Sequence, residues 1–209
     1  MSHPRGRRPL APVYVVRLIV VVLSLGQPLL AFGQGLVRGL VDELVVGGLH
    51  LPVAAARLPD GRLLVAEKAG VVRVVVNGVL QADAFLDLRD RVNDYWDRGL
   101  LGVTIDPAFA DNGYVYLFYV HEDDPLTYTG PKTSRVVRVT AEGNSADIET
   151  AVVLVDGLPA DSPSHDGGAM QFGPDGRLWI TTGDASSFNA VDPQALRAQQ
   201  IDSLAGKLL

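Results

Sequence analysis

A chain of 209 residues with 18 basic and 24 acidic side chains carries a formal charge of −6, which speaks against nucleic acid or an anionic membrane as partner. It has no cysteine, so disulfides, thiolate chemistry and cysteine zinc sites are excluded, and stability must come from burial or bound ions.

Residues 1–33 read as an export signal. Arg5, Arg7, Arg8 and Arg17 make the start basic, Leu18 to Leu30 are mostly apolar, and Ala31-Phe32-Gly33 is a small-x-small cleavage pattern. Pro28 suits a cleavable leader; an uncleaved anchor is the alternative, because no charge falls between Arg17 and Arg38. Arg7-Arg8 is a weak match to the twin-arginine route, since Pro9 follows. Cleavage would leave 14 basic against 24 acidic residues and place the protein in the periplasm, outside the cell or on its surface. Residues 34–48 read as a Gly-rich entry segment, and 49–209 as the folded body.

The body opens with strands and tight turns. Leu58-Pro59-Asp60-Gly61 is a turn, Arg62 to Ala66 a strand, Ala69-Gly70 a second turn, Val71 to Val76 a valine-rich strand and Asn77-Gly78 a hairpin turn. The phrase L-P-D-G-R-L-L-V-A at Leu58 returns as G-P-D-G-R-L-W-I-T at Gly173, with a looser copy from Asp106 to Tyr119. The aligned glycines 61, 113 and 176 are 52 and 63 residues apart, somewhat longer than the roughly 40 to 50 of familiar propeller repeats. An all-β fold built as a β-propeller is the expectation, with about three blades present where a propeller needs about four to eight. That shortfall, with the apolar ending Gly206-Lys207-Leu208-Leu209, predicts the N-terminal part of a longer chain.

Each repeat places charges at the open end of its hairpin: Glu67 and Lys68 in the first, Asp97, Arg98 and His121 in the second. Such charges would converge on a channel mouth, although charges also end strands in any soluble protein. Pro125 to Lys132 reads as an exposed loop and Ser134 to Thr140 as a strand.

The densest chemistry lies between Ser162 and Asp184. Gly168 to Phe172 and Arg177 to Thr182 form a hairpin around Pro174-Asp175-Gly176. Pairing centred inside Pro174-Asp175 puts His165 opposite Asp184, with Cβ atoms roughly 4.5 to 5.5 Å apart. A carboxylate on one imidazole nitrogen would leave the other free as a base; the alternative is two polar loop residues. Asp192 to Gly206 then reads as a short helix capped by Asp192 with Pro193 in its first turn, and Lys207 as a solvated flank.

R-G-L-L-G-V-T-I-D-P-A-F-A-D-N-G-Y-V-Y at 98–116, S-R-V-V-R-V at 134–139, S-H-D-G-G-A-M-Q-F-G-P-D-G-R-L-W-I-T-T-G-D at 164–184 and L-A-G-K-L-L at 204–209 together resemble the glucose/sorbosone dehydrogenase family. The resemblance runs from about Leu49 to the last residue. It implies a six-bladed propeller holding pyrroloquinoline quinone (PQQ) and calcium, oxidising the anomeric carbon of an aldose or related sugar and passing electrons to an external acceptor. It also implies His165 as base and Asp184 as its orienting carboxylate. Asp97 falls where relatives carry Gln or Glu near the sugar, Ser164 where glucose-oxidising members carry aspartate, and Asn189 at a sugar-facing loop position. The quinone clamp and calcium loop of the family lie beyond Leu209, so the fragment alone is expected to be inactive.

Two other readings stay open. One is a non-catalytic extracellular propeller that binds carbohydrate or a partner. The other is a metal-dependent lactonase using Glu67, Asp97 and Asp184 as ligands. Oligomeric state is not legible in the sequence.

Overall fold

A computed structural model describes residues 40–189 and 191–209; the export signal expected over 1–33 lies outside the described residues. Residues 40–48 carry no regular secondary structure, and Leu49–Leu209 form one compact unit.

The two Pro-Asp-Gly-Arg turns fold alike. The Leu58 N–H donates to the Arg62 carbonyl (2.9 Å) as Gly173 donates to Arg177 (2.8 Å), and Gly61 and Gly176 each donate back across 3.0 Å. Asp60 and Asp175 accept from the backbone of the following arginine, both at 3.1 Å. Gly61 and Gly176 have φ of 91° and 75°, which explains why glycine recurs there. In the looser copy the closing bond runs from the Asp106 N–H to the Tyr114 carbonyl (3.0 Å), and the longer turn holds a one-turn helix, α1 (Phe109–Asn112).

Each turn joins strands of an antiparallel sheet. The first sheet runs β1 (Pro52–Arg57), β2 (Leu63–Glu67), β3 (Val71–Val76) and β4 (Val79–Leu80), with β5 (Leu86–Asp87) also on β3. The second contains β6 (Leu100–Ile105), β7 (Tyr114–His121), β8 (Lys132–Glu142), β9 (Ser145–Ala146) and β10 (Val152–Ala160), in the order β10-β8-β7-β6 with β9 on β8. The third pairs β11 (Gly167–Phe172) with β12 (Leu178–Thr182). Residues 207–209 line the free side of β12, where Ile180 and Leu209 exchange two backbone bonds of 3.0 and 2.9 Å.

Burial explains the apolar run Y-V-Y-L-F-Y-V of β7. Val115, Leu117 and Tyr119 point into a core shared with Leu64, Val72, Val74 and Leu86 of the first sheet. Phe118, on the opposite face, joins Val136, Leu158 and Ile180 in a core shared with the third sheet. A strand buried on both faces loses the polar alternation of a half-exposed one. The second and third sheets also touch backbone to backbone. A Cβ on Gly102 would meet the Gly168 carbonyl oxygen at 2.2 Å, and one on Gly168 would meet Leu101 Cβ at 2.6 Å. This contact fixes where β11 begins.

Three expectations need correction. The segment after Asp192 is a 3-10 helix over Pro193–Gln199 only, ending before Gly206; Leu196 and Ile201 are exposed, so no apolar face extends it. The Asp192 cap itself stands, its Oδ1 accepting the Gln194 N–H at 2.9 Å. Lys207 is no solvated flank, because its ammonium donates to the Ala198 and Ala205 carbonyls (3.0 and 2.8 Å). The 125–132 loop contains a short 3-10 turn, Pro125–Thr127, and leads into β8, which starts at Lys132.

Candidate active site

Met170, Gln171 and Phe172 face Ile180, Trp179 and Leu178, whereas Gly167 faces Thr182. One residue is therefore extra on β11, a bulge made by Gly167 and Gly168 at φ of 81° and 108°. The bulge changes the register. Pairing extended from the turn without it would set Asp166 against Asp184; with it, His165 Nδ1 lies 3.1 Å from Asp184 Oδ1. His165 sits at φ 61° and Ala185 across from it at φ 50°, left-handed conformations costing roughly 1 to 2 kcal/mol each. Strain of this kind gathers where surrounding structure holds a side chain in place.

The pair is oriented by a third group. Ser186 donates its N–H (3.1 Å) and hydroxyl (2.9 Å) to Asp184 Oδ1, and its hydroxyl oxygen lies 3.4 Å from His165 Nδ1. Burial alone would raise the Asp184 carboxyl, but the Ser186 bonds and the His165 ring outweigh it and hold the carboxyl below its ordinary value. An ionised Asp184 accepts from Nδ1–H, so Nε2 is the nitrogen left without a proton. Nε2 has no hydrogen-bond partner among the described residues, and the imidazole is 47 % exposed.

Two arginines hold the surrounding loops: Arg98, expected among the charges at a hairpin's open end, and Arg197, which no sequence pattern marked. Arg197 Nη1 pairs with the Asp161 carboxylate at 2.6 Å, and Nη2 donates to the Asp184 carbonyl at 3.1 Å. Arg98, wholly buried, donates to the Ala160 and Asp161 carbonyls (2.9 and 3.2 Å) and to Asn93 Oδ1 (3.4 Å). Behind it Asn93 donates to Glu122 (2.6 Å), which accepts from Lys132 (2.7 Å), so a polar chain leads inward from the site. The R-G-L-L-G phrase had marked Arg98 as a charge at a strand end; its burial depends on packing that no local pattern reveals.

Asp166, next to the candidate base, is buried, and neither carboxyl oxygen has a hydrogen-bond partner among the described residues. Burial pushes its pKa up to about 7, with Arg98 pulling it down and Asp97 adding to the rise. No local pattern marks this residue beyond its place in S-H-D-G-G.

The other candidates lie around the pair. The Asp97 N–H donates to the Pro163 carbonyl (3.1 Å), which ties its exposed loop to the one carrying His165. Asn189 is exposed on the loop that begins at Ala185, its N–H on Ser187 Oγ (3.3 Å). Ser164 is buried at 2 % exposure and turned away from solvent. Glu67 is buried, where it accepts the His50 N–H (2.7 Å), and His121 Nδ1 lies 3.3 Å from the Arg91 carbonyl. Neither is hydrogen-bonded to the His165 group.

A tricarboxylate quinone needs free cations, and the four around this loop are engaged. Arg98 and Arg197 are held as described, Lys68 donates to the Asp94 carbonyl, and Lys207 to two carbonyls. The described residues therefore do not fit a quinone cradle. No group of three His, Asp or Glu side chains suited to a metal occurs among the described residues, which leaves Glu67, Asp97 and Asp184 apart as calcium ligands.

Comparison with known proteins gives this geometry a context. An oxidoreductase of Thermus thermophilus described as a glucose dehydrogenase superposes with a TM-score of 0.67 at 35% identity, covering 80% of this chain and 46% of that one. The PQQ-bound aldose sugar dehydrogenase of Streptomyces coelicolor superposes with a TM-score of 0.62 at 25% identity, over 79% and 45%. Mouse Hedgehog-interacting protein is 33% identical over 152 residues, 67% of this chain and 21% of the relative. The chain thus spans less than half the length of these solved structures. The model of the Glucose / Sorbosone dehydrogenase family matches residues 49–209, and the chain belongs to that family.

Proposed function

We propose that the whole protein is an exported quinoprotein sugar dehydrogenase that oxidises the anomeric carbon of an aldose or related sugar, with His165 as general base. The observation that carries this reading is the imidazole whose Nδ1 is fixed by Asp184 while Nε2 stays open. The anomeric hydroxyl gives its proton to Nε2, and the ionised Asp184 stabilises the imidazolium that forms. Asp97 and Asn189, exposed on loops next to the one carrying His165, offer hydrogen-bonding groups for sugar hydroxyls, whereas Ser164 is buried. PQQ with calcium, which the described residues do not cradle, would supply the two-electron acceptor if held elsewhere in the whole protein.

The test is dye-linked sugar oxidation by the full reading frame reconstituted with PQQ and calcium, beside this 209-residue chain. Activity in the longer protein that disappears in His165→Ala is the expected result. A folded long form inactive over a broad sugar panel would overturn the reading. That outcome would favour the second one, a partner-binding propeller, which the similarity to Hedgehog-interacting protein supports.

A further inference from the structure

Four of the chain's fourteen aromatic residues form one row beside the His165 loop, although the cores of the sheets would be the expected place for them. Phe188 and Trp96 have ring centroids 5.3 Å apart, Trp96 and Tyr95 6.2 Å, and Tyr95 and Tyr128 5.7 Å. Phe188 is 54% exposed, Trp96 49% and Tyr128 39%, so the row presents aromatic surface to solvent. Its members come from three separate loops. The Trp96 loop is tied to the His165 loop through the Asp97 N–H, and the Phe188 loop through Ser186. Trp96 holds its place at a left-handed φ of 56°, unfavourable for a bulky side chain. Tyr128 is fixed by donating its hydroxyl to Asp94 at 2.5 Å.

The sequence order within these loops has a chemical meaning. Trp96 is followed by Asp97 and Phe188 by Asn189, so each loop offers an exposed aromatic face and then a hydrogen-bonding side chain. A pyranose presents the same two chemistries, an apolar C–H face and a rim of hydroxyls. Binding sites that join aromatic walls to a few placed polar groups suit such ligands. The row is also longer than one sugar ring requires, running from Phe188 to Tyr128 in three ring-to-ring steps.

We propose that Trp96 and Phe188 form a carbohydrate platform that takes the non-reacting ring of a reducing disaccharide or longer glycan whose reducing end lies at His165. The term non-reacting rests on the dehydrogenase reading; the platform itself does not. Asp97 and Asn189 then bind hydroxyls of the rings on either side of the glycosidic bond.

The experiment uses the full reading frame, and the Trp96 contribution to the emission is read as the difference between the parent protein and its Trp96→Phe variant. The probes are methyl maltoside, methyl cellobioside and methyl lactoside against methyl glucoside, all blocked at the anomeric carbon. At least one disaccharide is expected to perturb the emission and to bind more tightly than the monosaccharide. By calorimetry, Trp96→Ala and Phe188→Ala each weaken that binding about three- to tenfold, while Trp96→Phe retains it. In turnover with the matching reducing sugars, the disaccharide-to-monosaccharide ratio of kcat/KM falls by a similar factor in the alanine variants. Unaltered disaccharide binding in both alanine variants, or no binding of any glycan, overturns the platform. Glycan binding without oxidation of any sugar would sink the dehydrogenase reading and leave the platform standing.

Discussion

Gly183 lies against the backbone of His165 so closely that a Cβ at position 183 would be 1.4 Å from the His165 carbonyl oxygen. No side chain fits there unless the strained His165 turn moves. Gly183→Ala is therefore expected to displace the imidazole from Asp184 and lower sugar oxidation by about 10²-fold or more, the scale on which small misplacements act. Steady-state dye reduction by the reconstituted whole protein checks this, with circular dichroism to confirm that the variant is folded.

His165→Ala removes the base and is expected to lower turnover by about 10² to 10⁴-fold while quinone binding is retained. Asp184→Asn is expected to be nearly as damaging for a different reason. Its amide can donate to Nδ1, which places the ring proton on Nε2 and leaves no acceptor for the sugar hydroxyl. Full activity in Asp184→Asn would show that Ser186 alone sets the tautomer.

Asp166 predicts a pH dependence of stability. Its carboxyl titrates at about 7 in the folded protein and near the ordinary value of about 4 when unfolded, so between these values the folded state holds more protons. Stability from this group is thus greatest at low pH and falls as pH rises from about 4 to about 7. Asp166→Asn removes that slope, so the variant gains stability relative to the parent as pH rises from about 4 to about 7. Arg98 keeps its carbonyl partners in the variant. Urea unfolding at several pH values is the measurement, and a parallel slope in both proteins would contradict the assignment.

Lys132 is the opposite case, a fully buried ammonium shared by Glu122 (2.7 Å) and Asp123 (2.8 Å). Burial pulls the Glu122 carboxyl up, but its bonds to Lys132 and Asn93 hold it below its ordinary value. Lys132→Met strands that carboxylate and is expected to cost about 3 to 5 kcal/mol at pH 7. The difference should shrink as pH falls through the Glu122 titration, because a protonated carboxyl no longer needs the ammonium. An equal deficit at pH 7 and pH 4 would assign the loss to packing.

The sequence announced what is local and repetitive. Proline, aspartate and glycine at 59–61 and 174–176 specify their turns wherever they occur, and the β-branched valines of Val71 to Val76 favour a strand. The pairing of His165 with Asp184 was also legible, although by an incomplete argument. Pairing around Pro174-Asp175 gave the right partners, but the hairpin is centred on Asp175, and the missing step comes from the bulge at Gly167. The burial of Arg98, the isolation of Asp166 and the aromatic row were not legible, since each depends on which loop meets which across distant parts of the chain. The short Pro193–Gln199 helix shows the converse. Its cap residues were correct, but capping signals say where a helix starts and not whether anything packs on it to sustain its length.

The Pro174-Asp175-Gly176-Arg177 turn stands at the far end of the hairpin from His165, with open space where a Gly176 side chain would be. Length can therefore vary at this tip without disturbing the pairing above it, whereas one residue added within 167–172 or 178–182 would slip His165 past Asp184. For engineering, the tip is the place to graft an epitope, a linker or an electrode tether, and the strands are where no insertion belongs. The same geometry gives a rule for natural variation: hairpin length should differ among relatives at the tip and stay constant between it and the bulge.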